Sequence, residues 1–485
     1  MYEKKSAQTT LLDHPICFGG VKLDVRNPWV KLAEMIPWDV LEEKYSESFE
    51  NPDEGNPAKP SRMALGSHII KERYGFSDED TVVEIQMNPY LQYFIGLWAF
   101  QHESPFDAST MTLFRKRLSK EMLAEVNDYI TGRKKRDDDE MTGSGTDKSQ
   151  PKVGKSESSG NEGTLILDAT CTPANIRFPT DVSLLNESRE NLEEIIDKQH
   201  TPGTLKPRTY RKKARKQFLQ FVRNRKPRKA NIRKAIKRQL GYVARDIGII
   251  KKLIEAGCTL NPKQEELFTT VQTVYEQQRQ MYQNKSHQTE NRIVSLHQPW
   301  VRPIVRGKTA VPVEFGAKVA ISLHNGYATV ERLDWNPYNE SKTLQDSVER
   351  YKTQTGHYPK RILADKIYRT RENRAYCTNH DIRMNGPKLG RPPQDRALYA
   401  EQCRQERLES GERNAVEGTF GVGKRRYSLG KIMTRLKDTS ETTIYLAFLV
   451  MNLQKRLRSL LCQILEIFFI AILRENYRIN WAFAQ

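Results

Sequence analysis

Cysteine is scarce: Cys17, Cys171, Cys258, Cys377, Cys403 and Cys462 are scattered through 485 residues, with no C-x-x-C pair and no His/Cys cluster beside them. This excludes a disulfide framework and a zinc site of familiar ligand spacing, and it points to a reducing compartment. No apolar run reaches the roughly 18 residues that read as a membrane span. The two apolar stretches near the C-terminus, IYLAFLVMNL and LLCQILEIFFIAIL, are parted by the charges within 454–459, and the second is broken by Glu466. A buried helix or an oligomer contact is expected there, with no membrane partner. The opening MYEKKSAQTTLLDHP has no apolar core of signal-peptide length, so a cytoplasmic location is expected. Hydrophobic residues make up only 37% of the chain, still too many for wholesale disorder.

Acidic residues are missing altogether from 201–238, a segment that holds sixteen Lys or Arg. The whole chain carries 79 Lys plus Arg against 60 Asp plus Glu, a net +19, so this one segment supplies all but three of the excess charges. Such a run is often only a solvated face. Here it continues into Ile232, Ile236, Leu240, Val243, Ile247, Ile250 and Ile254, spaced at three and four residues, the buried stripe of a long helix. A helix so anchored suits a clamp on phosphate backbones, with Lys212, Lys213, Arg215, Lys216, Arg225, Lys226, Arg228 and Lys229 as the contacts. Tyr210, Phe218 and Phe221 are interleaved for packing or base stacking.

The composition divides the chain. Residues 132–163 are almost free of large apolar side chains and read as a disordered linker. Residues 1–131 form a separate N-terminal helical domain, with Ser61, Ser77 and Asp107 as candidate caps. Its last helix carries Arg115, Lys116 and Arg117, either a DNA-reading face or an ordinary basic one. The remaining expected units are an α/β domain over 164–182 and 291–453, a basic all-helical insert over 183–290, and an apolar helical tail over 454–485.

Within the α/β unit, Thr164 to Leu167 is a strand ending at Asp168. FGAKVAISL and YATVERL flank His324, Asn325 and Gly326, a strong hairpin signal. A helix over 341–355 stops at Gly356, Arg361 to Ala364 is a strand ending at Asp365, and Asp381 to Met384 is a fifth strand. Arg396 to Lys424 is helical, as one helix or two split at Gly411, and carries Glu417. In a sheet whose first and fourth strands are neighbours, Asp168 and Asp365 lie side by side and the helix brings Glu417 across them. Three acids converging on one point require cations between them, and oxygen ligands suit Mg²⁺ or Mn²⁺ in a two-metal site for phosphoryl transfer. Asp181 and Asp334 are the competing carboxylates. Gly418 to Lys424 reads G-x4-G-K, but Arg425 stands where a nucleotide-binding loop needs Ser or Thr, which argues against an NTPase.

Three segments, LDATCTPANIRFPTD, ILADKIYRTRENR and RNAVEGTFGVGK, resemble those around the catalytic acids of the bacterial insertion-sequence transposases with an RNase-H-like DDE domain. Arg413, Glu417 and Lys424 match that family's R-x3-E-x6-K spacing, while Ser410 stands where a tyrosine often opens the signature. The resemblance implies an RNase-H-like mixed five-stranded sheet flanked by helices, with Asp168, Asp365 and Glu417 as catalytic and metal-binding residues. It implies two Mg²⁺ or Mn²⁺ ions, and Arg413, Lys424 and Arg425 on DNA phosphates. The implied partners are double-stranded DNA, both terminal inverted repeats and target, and a second copy of the chain as a homodimer. A related nuclease without strand transfer, or a domesticated DNA-binding protein, are the alternatives.

Overall fold

The computed structural model describes residues 16–49, 57–134, 160–200, 205–305, 313–387, 390 and 395–482. It begins with a hairpin of β1 (Ile16–Phe18) and β2 (Val21–Leu23), followed by seven helices. These are α1 (Pro28–Met35), α2 (Trp38–Glu47), α3 (Ser61–Tyr74), α4 (Asp78–Met87), α5 (Pro89–Phe94), α6 (Thr110–Arg117) and α7 (Lys120–Ile130). Ser77 caps α4 in a reciprocal capping box with Asp80. Ser61 is no cap: it is the first helical residue of α3, and its backbone N–H and hydroxyl both donate to the buried Glu42 carboxylate. Asp107 is no cap either: it lies three residues before α6 begins and accepts from the N–H of Ser109, which holds the cap position.

The expected linker lies mostly outside the described residues; at its end, Glu162 N–H donates to Tyr358 O at 3.0 Å. Next comes β3 (Thr164–Pro173), then the insert of α8 (Asp181–Gln199), α9 (Arg211–Val222), α10 (Lys229–Glu255) and α11 (Pro262–Asn284). The insert has its own core, in which Ile236, Leu240, Val243, Ile247 and Ile250 of α10 meet Leu192 and Ile196 of α8 and Val271 and Val274 of α11. The stripe fades at its ends, Ile232 being half-buried and Ile254 exposed. Arg211 joins α9 to α8 through two bonds to Asp197, at 2.7 and 2.8 Å.

Beyond the insert come β4 (Arg302–Val305), β5 (Val313–His324), β6 (Tyr327–Asp334), α12 (Leu344–Thr355), β7 (Arg361–Ala364), α13 (Arg371–Asn379) and β8 (Arg383–Met384). Strand β3 pairs antiparallel with β5 and parallel with β7, and β7 pairs parallel with β8. Along the other edge of β5, β4 pairs with Val313–Gly316 and β6 with Lys318–His324. The β5–β6 turn places Asn325 at φ +52° and Gly326 at φ +74°, the two left-handed positions of a type I′ hairpin. Read across, the order β6-β5-β3-β7-β8 sets β3 beside β7, and β4, a strand the sequence did not announce, makes the sheet six-stranded where five strands were expected.

One face of this sheet is covered by α12 and α13, with Leu165, Leu167, Ile362 and Ala364 against Leu344, Val348 and Cys377. The other face lies against two long helices, α14 (Arg396–Arg426) and α15 (Lys437–Ala482). Helix α14 runs through Gly411 unbroken, so there is one helix and not two, and Lys424 lies inside it.

The N-terminal helical region is not separate from the rest. Its apolar side chains, those of β5 and β6, and Ile444 to Leu457 of α15 form one hydrophobic core. The reason is geometric: α15 buries residues too far round its circumference for the sheet alone to cover, and α1, α3, α6 and α7 pack against it as well. Asn452 donates to Asn127 Oδ1 and Ala328 O, both at 2.7 Å, and Lys120 pairs with Glu441 at 2.7 Å, so buried polar groups fix the register. Residue 454 is likewise no boundary, since α15 continues through the charges at Lys455, Arg456 and Arg458.

Candidate active site

Strand β3 does not end at Asp168; it continues for five residues with Asp168 opposite Ile321 of β5. What ends there is the parallel ladder with β7, whose last pair is Leu167 with Ala364. The next residue on each strand is an aspartate, so Asp168 and Asp365 emerge side by side where β7 stops. Asp365 turns into a short 3-10 helix, Lys366–Tyr368, and its Oδ1 accepts from Lys366 N–H at 2.7 Å. Asp168 is mostly buried and Asp365 exposed.

Helix α14 crosses the strand pair and presents Arg413 to Asp168, Nη1 lying 3.6 Å from Oδ2, while Nη2 is 3.0 Å from Glu417 Oε1. The one-turn spacing of Arg413 and Glu417 makes this possible, because residues four apart share a helix face. The structure thus brings Asp168 and Asp365 together directly and joins Glu417 to Asp168 through the Arg413 guanidinium. Arg413 faces two carboxylates, with its side chain only 20% exposed, whereas Glu417 is exposed.

Burial pushes the Asp168 carboxyl up to about 6; the Ala169 N–H and Arg413 pull it down, and Glu340 and Asp365 push it further up. Its folded value lies above its unfolded one, so the ionised form costs stability above about pH 6, and this cost vanishes below the unfolded value near pH 4. Asp168→Asn is therefore expected to unfold at higher temperature than the wild type at pH 7.5 in metal-free buffer, by the equivalent of about 3 kcal/mol. The gain should shrink as the pH falls from about 6 to about 4. A wild type as stable as the variant across that range in thermal melts would contradict the burial of an ionised Asp168.

The donors at this point are carboxylate oxygens, the set that hard divalent cations take, and Asp168 is offset by one backbone N–H, that of Ala169, and by the Arg413 guanidinium at 3.6 Å. The chemistry of Asp168 and Asp365 therefore fits Mg²⁺ or Mn²⁺. Among the described residues, no three His, Cys, Asp or Glu side chains gather closely enough to enclose an ion without rearrangement.

The competing carboxylates have other occupations. Asp181 pairs with Arg292 at 2.7 Å and accepts from Gln278, tying the start of α8 to α11. Asp334 pairs with Arg332 and accepts from Asn336 N–H. The acid that does act on Asp168 from beyond the third strand is Glu340, paired with Lys318 at 2.8 Å. Sequence reasoning missed it, since it lies six residues past the strand end with no motif to single it out. Also missed was Arg369, which feels Asp365 and Arg413; its guanidinium packs against Gly386, where any Cβ would collide and φ is +90°.

Arg425 is exposed near the end of α14, and Lys424 is half-buried there. Lys212, Lys213, Arg215 and Lys216 on α9, Arg225, Lys226 and Arg228 between α9 and α10, and Lys229 at the start of α10 are all exposed. Phe218 and Phe221 pack against the insert core, and Tyr210 carries Arg208 and Arg245 over its ring. No helix among the described residues is long and apolar enough to cross a membrane.

Residues 362–454, which include Asp365, Arg413 and Glu417, match a family model described as a transposase DDE domain. Residues 21–117, covering α1 to α6, match a second described as a transposase domain. A Rhizobium meliloti protein described as "Uncharacterized protein ORF8 in nfe locus" is 41% identical over 104 residues, 21% of this chain and 49% of that protein. The chain thus spans about half the length of the curated relative it matches. No solved structure matches it significantly.

Proposed function

We infer, from two transposase family matches at opposite ends of one chain, an insertion-sequence transposase whose DDE domain makes it a DNA-cleaving and DNA-transposing enzyme. The observation that carries the finer reading is the parallel pairing of β3 with β7, which sets Asp168 beside Asp365 under the Arg413–Glu417 pair of α14. The order β6-β5-β3-β7-β8 supports an RNase-H-like layout. In this reading Asp168, Asp365 and Glu417 would hold two Mg²⁺ or Mn²⁺ ions. Such a pair, when bound, supplies Lewis-acid stabilisation of the attacking and departing oxygens.

The chain's own residues do the positioning. Burial of Asp168 keeps its carboxylate short of compensating charge, which favours capture of a cation. Arg413 offsets Asp168 and Glu417 until then and holds Glu417 over the strand ends. The exposed Asp365 and Glu417 leave the site open to a bulky polymer. The reaction begins with a nick at an element end that leaves a 3′-hydroxyl. That oxygen then attacks a target phosphorus in line, and the target's own 3′-oxygen departs. The exposed cations of the insert hold phosphate backbones without reading sequence. The N-terminal helices, which share a core with α15, recognise the inverted repeats, and pairing two ends calls for a homodimer.

Joining is the step that separates this enzyme from a related nuclease. Given a precut element end and a supercoiled target with Mg²⁺, the protein is expected to yield covalently joined product. Hydrolysis of the DNA with no joined product would reassign it as a nuclease.

A further inference from the structure

Asp365 and Arg369 stand at the two ends of one 3-10 turn, the first as its N-cap and the second closing it through a 3.1 Å bond from Arg369 N–H to Lys366 O. The Arg369 guanidinium rests on the backbone of Gly386, which has φ +90° and could carry no Cβ without striking it. Gly386 lies two residues past the pairing of Met384 with Ile362, and the intervening Asn385 accepts from Ala364 N–H at 3.0 Å. The guanidinium is thereby held at the same edge of the sheet as Asp168 and Asp365, on the β8 side, while Arg413 serves Asp168 on the β3 side. Arg374 braces both walls of this cradle, Nε donating to Arg369 O at 3.3 Å and Nη1 to Pro387 O at 3.4 Å.

The cradle holds a charge without a counter-ion. Among the described residues the Arg369 side chain makes no hydrogen bond or ion pair, although Asp365 and Glu406 attract it and Arg374 and Arg413 repel it. Its Nε is sealed from solvent, whereas its two terminal nitrogens, equally unpaired, stay open to it. A half-buried cation left without a partner costs free energy. An arginine kept for packing alone has two acids within electrostatic reach and takes neither. Its open N–H groups form the planar fork that grips a phosphate. We propose that Arg369 binds a phosphate of the strand being cut, beside the scissile one on the β8 side of Asp365, and so fixes that strand over the acids. The inference rests on the transposase reading; it adds a substrate contact outside the three acids and outside the R-x3-E-x6-K signature.

The test uses the full chain with Mg²⁺ and a set of element-end duplexes, each carrying a single methylphosphonate that removes the charge of one phosphate near the cleavage site. In the wild type, one such change next to the scissile phosphate should slow cleavage at saturating DNA by roughly ten- to hundredfold, the worth of a charge-assisted hydrogen bond. Arg369→Gln should be slowed as much on unmodified DNA and no further by that one methylphosphonate, while every other position keeps its wild-type effect. Arg369→Lys, which keeps the charge and loses the fork, should fall between the two. Neither variant should bind Mn²⁺ more weakly than the wild type. Penalties that add at every position, or a wild type that no neighbouring methylphosphonate slows, would overturn the proposal. A loss of Mn²⁺ affinity in Arg369→Gln would also overturn it, by assigning the residue to the metal site. If the contact fails these tests while Asp365→Ala still stops cleavage, the transposase reading stands without it.

Discussion

Asp365→Ala is expected to abolish divalent-cation-dependent cleavage of an element-end duplex while leaving DNA affinity unchanged. The loss corresponds to several kcal/mol of transition-state stabilisation, roughly a thousandfold in rate. Asp365 is a clean site for this test, because its exposed carboxylate accepts from the adjacent Lys366 N–H and takes no part in the hydrophobic core of β7. In the proposed function, DNA affinity rests elsewhere, on the insert and the N-terminal helices. Asp334→Asn is the matched control: that acid ends a strand of the same sheet, yet its partners are Arg332 and Asn336. Gel assays of cleavage and binding on the same preparations measure both quantities. Cleavage at the wild-type rate by Asp365→Ala would exclude the site.

The second large effect concerns salt. Replacing Lys212, Lys213, Arg215 and Lys216 together by Gln should weaken binding to any duplex by roughly a hundredfold or more and make the log–log salt dependence shallower by about 3.6. These four residues are exposed on α9, whose Ala214 is buried against the rest of the insert, so the helix stays anchored. Arg211 belongs to a different class. Its bidentate pair with Asp197 ties α9 to α8, and its loss should appear as lower insert stability with little change in salt slope. Affinity measured across a range of salt concentrations separates the two. An unchanged slope in the fourfold variant would mean that the basic segment does not touch phosphate.

Features written in local sequence were the legible ones. The apolar stripe of α10, the Asn325–Gly326 turn and the helix stop at Gly356 depend on neighbours a few residues apart, and each stands where the pattern placed it. The neighbouring of Asp168 and Asp365 was different: it entered as a premise of the layout, because four insert helices, three strands and α12 separate β3 from β7 in the chain. Long-range features carried no such signal. Nothing in α15 announces that its apolar run would be shared between the sheet and the N-terminal helices, so two units were expected where one core exists. Gly411 was a fair candidate for a break, yet flanking ion pairs from Glu409 to Arg383 and from Glu412 to Arg361 hold that part of α14 against β8 and β7.

The same limit applies to the site. Arg413 and Glu417 were readable as one helix face, but the placement of the guanidinium between two carboxylates depends on how α14 crosses β3. Glu340 and Arg369 reach the site through turns whose course no residue pattern specifies.

The most direct measurement is Mn²⁺ binding to the DNA-bound full chain, followed by electron paramagnetic resonance, for the wild type and for Asp168→Asn, Asp365→Asn and Glu417→Gln. Shared ligation predicts tight Mn²⁺ binding by the wild type and its loss or marked weakening in each of the three variants. Undiminished Mn²⁺ affinity in any of them would contradict a site built from those three carboxylates.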